Sequence, residues 1–354
     1  MIPEELREHI EGLITGKKSF AVFRIPGENV IKLIEQTGHE VNCFDSLSAL
    51  NENEGFVIVP FQITDEYPVL LIKGKVTAYT FDEIPDEEYP KIFPQKEVSL
   101  DYRHRFEKFI KPLRDKEFDK LVLSRSSSFD LPGKFSLTDV FLKACKRYIR
   151  SYVFLYYTPQ TGFWLGSTPE ILLSGSGKEW HTVALAGTQP LQQGKIPEIW
   201  DEKNRKEQQF VVDYIRTQLA NFGIVVEETE AYAIRAGELS HLKSDFRFML
   251  PDNQTLGDLL AVLHPTPAVC GLPKDSAYRF ILDNEGYNRR YYSGFIGILN
   301  PEEKSDIYVN LRCMQIEEKH LTLYAGGGLL ASSVLEDEWM EIEDKMATMQ
   351  ALIV

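Results

Sequence analysis

The stretch HPTPAVCG, residues 264–271, is the part of the sequence that says most about the fold and about the function. Pro265 and Pro267 flank Thr266, and each proline fixes its own φ and removes a backbone donor, so a regular helix is excluded there. The stretch is therefore expected to be a stiff turn that holds a histidine, a hydroxyl and small apolar groups in place. Rigid loops that present polar groups are where binding and catalysis concentrate. We expect residues 264–271 to line a binding or catalytic site.

The composition narrows the class of protein. The 354 residues are 43% hydrophobic, enough to bury one large core or two ordinary ones. Lys and Arg number 39 against 53 Asp and Glu, and this net charge of −14 argues against nucleic acid and anionic membranes as partners. The N-terminal residues 1–18 have the pattern of a charged amphipathic helix, not of a signal peptide, and no apolar run approaches a membrane span. These features predict a cytoplasmic protein.

The four cysteines show neither the spacing of a metal site nor a dense disulfide framework. They are Cys43, Cys145, Cys270 and Cys313. We expect each to be a small buried apolar residue, as free cysteine usually is.

Short β-rich runs and longer helical patterns alternate along the chain. Apolar periodicity predicts helices near residues 99–114, 137–149, 201–221 and 334–352, and many of the strands come as consecutive pairs. Consecutive strand pairs favour antiparallel sheets over a doubly wound parallel sheet. The pattern therefore predicts an α+β protein with helices packed outside its sheets. The acidic, proline-containing residues 81–98 are expected to form an extended connector, and whether residues 1–81 fold separately stays open.

Carboxylates on two of the predicted helices are candidate metal ligands. In helix 201–221, Glu207 lies one turn before an apolar stripe that ends at Leu219. Either the stripe ends there and Glu207 is solvated, or its carboxylate points into a site. Glu338 borders the apolar face of the last helix, and Glu341 lies further round. Carboxylates that converge from two helices would suit Mg²⁺, but spacing alone does not establish that they converge.

Four further features admit both an ordinary and a functional interpretation. The run Gly326-Gly327-Gly328 between a strand and a helix is either a tight turn or an anion cradle. Lys120 at the start of an apolar strand either guards a strand edge or, in a desolvated pocket, serves as a base. Glu170 in the turn GSTPE is either solvated or functional, and Arg312 is either a surface residue or a carboxylate ligand.

Taken in order, these pieces resemble the chorismate-utilising enzymes, which include anthranilate synthase component I and the aminodeoxychorismate, salicylate and isochorismate synthases. The matching strings span residues 119–345: DKLVLSR, GSTPE, ALAGT, DEKNRKEQQFVVD, HLKS, LHPTPAVCG, DNEGYNRRYYSG, the strand around Arg312, AGGGLLASS and EDEWMEIEDK. The resemblance implies a single large domain over 1–354 with two antiparallel β-sheets in a sandwich and helices packed outside. Residues 99–354 would be the chorismate-binding catalytic core, and 1–98 a divergent N-terminal portion.

Three positions choose among the branches of this family. Relatives similar to anthranilate synthase typically lack the lysine at the position of Lys120, and the aminodeoxychorismate branch has a nucleophilic lysine where this chain has Ala186. The string LHPTPAVCG resembles isochorismate-forming members, whereas salicylate synthases carry a different sequence there. The resemblance therefore implies conversion of chorismate to isochorismate, for menaquinone or for a catechol siderophore. Salicylate formation with pyruvate elimination, and chorismate binding without turnover, stay as alternatives.

The resemblance also implies roles for individual residues. Lys120, neutral by desolvation, would deprotonate a water that adds at C2, and Glu170, protonated at that moment, would donate to the departing C4 hydroxyl. Glu207 and Glu341 would hold Mg²⁺, with Glu338 as a candidate outer ligand. The implied substrate contacts are Gly187, Thr188, His264, Thr266, Ala268, Val269, Tyr292, Arg312, Gly326, Gly327, Gly328 and Lys345. The partner would be chorismate alone, bound by a monomer.

The chain departs from the family pattern at three places. Gln208 stands where relatives often have a histidine, Arg290 where a glycine is usual, and Gly327 where an alanine is common. None of these departures removes a residue that the resemblance assigns to the chemistry.

Overall fold

The computed structural model describes residues 3–38, 40–81, 97–131, 133–236, 239–250 and 255–353. Most of the connector predicted at 81–98 therefore lies outside the described residues. Seven helices occur in these ranges: α1 Glu4–Thr15, α2 Leu100–Arg114, α3 Leu137–Arg147, α4 Glu202–Asn221, α5 Leu256–Leu263, α6 Lys274–Asn284 and α7 Leu335–Ile353, with a 3₁₀ turn at Leu47–Leu50. The four long helices predicted after residue 98 are confirmed as α2, α3, α4 and α7.

The same ranges contain nineteen strands. They are β1 Phe20–Arg24, β2 Val30–Glu35, β3 Asn42–Phe44, β4 Gly55–Val59, β5 Val69–Ile72, β6 Val76–Thr80, β7 Lys120–Asp130, β8 Tyr152–Thr158, β9 Gly162–Thr168, β10 Ile171–Ser176, β11 Glu179–Pro190, β12 Val226–Glu228, β13 Tyr232–Ala236, β14 Leu239–Met249, β15 Gly271–Leu272, β16 Phe295–Leu299, β17 Ser305–Val309, β18 Cys313–Ile316 and β19 His320–Leu329.

The strands form two antiparallel sheets. The first has the order β15-β7-β19-β18-β9-β8-β1-β2-β6, and the second has the order β12-β14-β11-β10-β17-β16-β4-β5-β3, with β13 also paired to β14. Every pairing between these strands is antiparallel. The N-terminal strands β1–β6 are divided between the two sheets. The predicted antiparallel α+β architecture is confirmed.

The sheets face one another across an aromatic core. The ring centroids of Phe23 on β1 and Phe56 on β4 are 5.5 Å apart, and those of Tyr152 on β8 and Tyr308 on β17 are 4.3 Å apart. All four residues belong to one buried cluster, which is the interior of a β-sandwich.

Helices cover the outer faces of both sheets. Helices α1 and α3 bury apolar residues on the first sheet, α2 and α6 pack with the start of α7 near β7 and β19, and α4 and α5 pack on the second sheet. Asp201 caps α4, because its carboxylate accepts the backbone N–H of Asn204 at 2.8 Å. Within the described ranges, no helix combines the length and the apolar character needed to cross a membrane.

One of the cysteine predictions is wrong. Cys145, Cys270 and Cys313 are free and buried as expected, but Cys43 is free and exposed. Cys43 lies on the short outermost strand β3, and its side chain is therefore not enclosed by a second neighbouring strand.

Candidate active site

A cleft of about 600 Å³ opens among β7, β19, β11 and the turn before β10. Most of the residues that the sequence analysis selected line it: Glu170, Gly187, Thr188, Glu207, Ala268, Val269, Tyr292, Arg312, Gly326, Gly328 and Lys345. The cleft contains both carboxylates and cationic groups, the convergent polar groups that orient a small charged ligand. Strands of both sheets contribute to it, so the sandwich itself positions the lining residues.

Lys120 and Glu207 form a buried ion pair beside the cleft. The Lys120 Nζ lies 3.0 Å from Glu207 Oε1, with exposed side-chain fractions of 0% and 7%. Gly328 leaves room for this pair, since a Cβ at that position would come within 2.7 Å of Lys120 Cε. Lys120 lies on β7, which pairs with both β15 and β19, so it does not guard a sheet edge. Glu207 is buried and not solvated, which resolves the alternative left open by its helical spacing.

Glu170 is a buried carboxyl whose environment favours the protonated form. Glu170 is 3% exposed, and this burial raises the pKa of its carboxyl to about 7. Four nearby groups act in the opposite direction and lower the pKa: Lys120, Thr266, Arg312 and Lys345. Thr266 Oγ1 donates to Glu170 Oε1 at 3.4 Å, so the hydroxyl of the 264–271 turn reaches the carboxyl. A carboxyl with this pKa can hold a proton near neutral pH and donate it.

Arg312 and His241 form a buried pair that the sequence analysis did not find. Arg312 Nη2 lies 3.2 Å from His241 Nε2, and His241 Nδ1 lies 3.0 Å from the carbonyl oxygen of Gly187. Burial and the Arg312 charge lower the pKa of His241 to about 3. The neutral ring therefore donates from Nδ1 to Gly187 and accepts from Arg312 at Nε2. The string HLKS, one of those that carry the family resemblance, was the only signal for His241 in the sequence, and it assigned the residue no role.

Two side chains of α4 fasten that helix to β11, and the sequence did not reveal this role. Asn204 Oδ1 accepts the backbone N–H of Thr188, and Gln208 Oε1 accepts that of Ala186, each at 2.8 Å. The two bonds bracket a register shift of β11 at Gly187, whose φ of +72° favours glycine. Gln208, which departs from the family pattern, thus makes a structural hydrogen bond to β11, and this bond fixes one side of the cleft.

The 264–271 turn reaches the cleft through only part of its length. Ala268 and Val269 line the cleft and Thr266 contacts the buried carboxyl, but His264 is not among the lining residues. The His264 ring lies edge-on against Phe295 with centroids 5.1 Å apart, and burial lowers its pKa to about 3. In this structure His264 packs against the side of the turn that faces away from the cleft.

A buried arginine, also unforeseen, fixes the turn against β7. Arg289 Nη1 donates to the carbonyl of Val269 at 2.7 Å, and Nη2 donates to that of Val122 at 3.0 Å. The same guanidinium makes two hydrogen bonds of 2.6 Å to the Glu285 carboxylate. A bidentate buried pair of this kind holds both partners in one geometry.

Glu338 and Glu341 form an acidic pair at the start of α7. Lys203 Nζ lies 2.8 Å from Glu338 Oε1 and 3.6 Å from Glu341 Oε2, while Lys345 Nζ donates to Glu341 Oε1 at 2.7 Å. Burial raises the pKa of Glu338, whereas Lys345 and Lys203 outweigh burial at Glu341 and lower its pKa. Glu338 Oε2 and Glu341 Oε1 lie 3.4 and 3.6 Å from the place where a Cβ of Gly327 would stand.

The oxygens of Glu207, Glu338 and Glu341 are of the chemical kind that a magnesium ion binds, although the three side chains do not form one cluster. Across the described part of the chain, no group of three or more His, Cys, Asp and Glu side chains could hold a metal. Glu207 faces Lys120, whereas Glu338 and Glu341 share the ammonium of Lys203. Glu338 Oε2 is buried without a hydrogen bond, and carboxylate oxygens are the ligands that Mg²⁺ prefers.

Comparison with known proteins gives the family. Residues 73–354 match the family model of the chorismate binding enzymes. Isochorismate synthase DhbC of Bacillus subtilis is 30% identical over 264 residues, which are 70% of this chain and 66% of that protein. Isochorismate synthase MenF of Pasteurella multocida is 29% identical over 74% of this chain and 63% of its own length. The chain belongs to the chorismate-binding enzyme family, and it aligns with slightly less than two thirds of these relatives' length.

Solved structures share the fold over nearly the whole chain. DhbC of Bacillus anthracis has a TM-score of 0.81 at 23% identity and covers 97% of this chain and 99% of its own. MenF, the menaquinone-specific isochorismate synthase of Escherichia coli, has a TM-score of 0.76 at 22% identity, with 95% and 89% covered. At these identities the likeness concerns the fold, including the N-terminal strands that precede the family match.

Proposed function

We propose that this protein is an isochorismate synthase, which converts chorismate to isochorismate. The observation that supports this most directly is the cleft in which Glu170, a carboxyl with a pKa of about 7, faces the charges of Arg312 and Lys345. Chorismate carries two carboxylates and a hydroxyl that must leave, so it needs cationic contacts beside a proton donor. The isochorismate synthases among the relatives and the family match support the same reaction.

In the proposed reaction, Lys120 and Glu170 act at opposite ends of one displacement. In its neutral form, Lys120 takes a proton from a water whose oxygen bonds to C2, the ring double bonds shift, and the C4–O bond breaks. Glu170 gives its proton to the departing oxygen, which leaves as water, so the product is an isomer of the substrate. The two groups have different partners, Glu207 for the lysine and Thr266 for the carboxyl, and the substrate ring would lie between base and acid.

The cationic side chains that line the cleft would orient the substrate. Arg312 and Lys345 would bind carboxylates, and Tyr292 and the backbone at Gly326 would complete those contacts. His241 would keep the Arg312 guanidinium aimed into the cleft, because its Nε2 accepts from Nη2 at 3.2 Å. Preorganised contacts of this kind hold the ring in one orientation before the bond changes begin.

A magnesium ion completes the proposal. Glu207 and Glu341 would hold it, with Glu338 as a candidate outer ligand, and when bound it would supply positive charge for the ring carboxylate. We also propose that the enzyme works as a cytoplasmic monomer, in keeping with its acidic surface composition.

The decisive experiment incubates the protein with chorismate and Mg²⁺ and separates the products by chromatography. Isochorismate as the main product supports the proposal, and Lys120→Met should abolish it while Lys111→Met, an exposed lysine on α2, should not. Stoichiometric pyruvate release without an added lyase would instead identify a salicylate synthase. Chorismate binding without any turnover would identify a binding protein and refute the proposal.

A further inference from the structure

Lys203 forms ion pairs with two of the three predicted metal-binding carboxylates. Its ammonium contacts Glu338 at 2.8 Å and Glu341 at 3.6 Å, and its charge interacts with Glu207 as well. The Lys203 side chain is 22% exposed and Glu338 1% exposed, so this is not a surface ion pair. A positive charge is therefore already present at the acidic pair of α7.

The ammonium satisfies this acidic pair only in part. Each carboxylate turns one oxygen toward Lys203 and the other toward the space above Gly327. Lys345 donates to the second oxygen of Glu341, but the second oxygen of Glu338 is buried without a hydrogen bond. A buried carboxylate oxygen without a hydrogen-bond donor costs free energy, so a further cation or donor at this oxygen would be stabilising.

A place for a displaced ammonium lies next to the pair. A cavity of about 1240 Å³ borders Lys203, Glu338 and Glu341, and its wall also carries Asp337 and Asp344. The lysine side chain has four rotatable methylene groups, so its ammonium can move to these carboxylates without a change in the backbone of α4.

We infer that Lys203 is an internal cation that competes with the metal for Glu338 and Glu341 and thereby limits the affinity for Mg²⁺. In the metal-free protein Lys203 neutralises the pair, and Mg²⁺ binds as the ammonium moves toward the outer cavity. The inference rests on the proposed function for the identity of the ion, but its test is a binding measurement that does not require turnover. Lys203 is thus a residue that tunes metal binding without contacting the substrate.

The test compares Mg²⁺ binding to chelator-treated wild type, Lys203→Met, Lys203→Arg and Lys206→Met by isothermal titration calorimetry. Lys206 is exposed on the same helix and stacks on Phe210, so Lys206→Met removes the same charge without touching the acidic pair. We expect Lys203→Met to bind Mg²⁺ roughly 5- to 150-fold more tightly, the usual range of coupling between two bound groups. Lys203→Arg and Lys206→Met should stay near wild type.

Thermal unfolding of the same four proteins provides a second readout. Without metal, Lys203→Met should unfold at a lower temperature than Lys206→Met, because two carboxylates then lie together without their cation. Saturating Mg²⁺ should close that difference. Unchanged or weaker Mg²⁺ binding by Lys203→Met, or an absence of binding in all four proteins, overturns the inference.

The assay of isochorismate formation on the same samples separates two kinds of failure. An active wild type whose Mg²⁺ affinity is insensitive to Lys203→Met refutes the competition and leaves the proposed function standing. A wild type that binds Mg²⁺ more weakly than Lys203→Met but forms no isochorismate supports the competition and refutes the proposed function.

Discussion

Replacing Glu170 with glutamine should reduce catalysis and at the same time stabilise the protein. Glutamine keeps the shape of the side chain and can still accept from Thr266, but it cannot give up a proton. Loss of a general acid typically costs about 10²–10⁴ in rate. Chorismate binding should persist, because the cationic contacts from Arg312 and Lys345 are unchanged. In the wild type, kcat/KM should fall as the pH rises above about 7, the pKa of Glu170, and this decline should be absent from Glu170→Gln.

The effect on stability follows from the same pKa. The ordinary value of 4.5 is raised to about 7 in the folded protein, so the folded state binds this proton more tightly than the unfolded state does. The contribution is fully present below pH 4.5 and is lost as the pH rises through 7. A shift of this size corresponds to about 3 kcal/mol. Because glutamine carries no charge, Glu170→Gln should be more stable than wild type at pH 8 by up to about 3 kcal/mol, with little of that difference near pH 4.5.

Urea unfolding at pH 4.5 and pH 8, together with steady-state kinetics, measures both effects. Glu54→Gln, at an exposed position, is the matched control and should show neither. The assignment of Glu170 as a buried acid would be refuted by a Glu170→Gln variant with near-normal kcat. It would equally be refuted if the stability difference from wild type were the same at the two pH values.

Three further predictions concern the walls of the cleft and the metal. Gly328→Ala should lose the Lys120–Glu207 pair and about 1–3 kcal/mol of stability through overpacking, measured by urea unfolding and kcat, whereas Gly12→Ala, with open space around it, should not. Gln208→Ala should cost about 1–3 kcal/mol, because a buried backbone N–H of β11 loses its acceptor; a loss confined to kcat would contradict this. Chelation with EDTA should abolish isochorismate formation and added Mg²⁺ should restore it, so an undiminished rate in EDTA would disprove the metal requirement.

The sequence predicted those parts of the fold that have a strong period of their own. The long helices α2, α3, α4 and α7 each carry an apolar stripe, and this stripe is visible without knowledge of the partner. Helices α5 and α6 were not predicted, since segments of 8 and 11 residues offer few repeats of the pattern. Single strands are harder to predict, as β14 shows, because most of its length is buried on both faces and does not alternate.

The site was predictable where a family motif marks it and not where function depends on distant partners. Glu170 and Arg312 were selected through their motifs, and the cleft contains both. Lys203 lies within the matching string DEKNRKEQQFVVD, but its role could not be predicted, because its partners lie on α7 at the other end of the chain. The roles of His241 and Arg289 could not be predicted for the same reason, since these roles consist of contacts with segments far away in the sequence.

The three glycines at the end of β19 make that strand a wall without side chains. Gly326 faces Ser124 and Tyr292, Gly328 faces the Lys120–Glu207 pair, and Gly327 faces the acidic pair on α7. At these three positions the ionised groups approach the strand backbone with no side chain in between, so little polarisable material screens one group from another. A change of charge at Glu338 or Glu341 should therefore alter the electric field in the cleft. This coupling needs no movement of the strand, and a bulkier residue at any of the three glycines would increase the distance between the groups that pack against it.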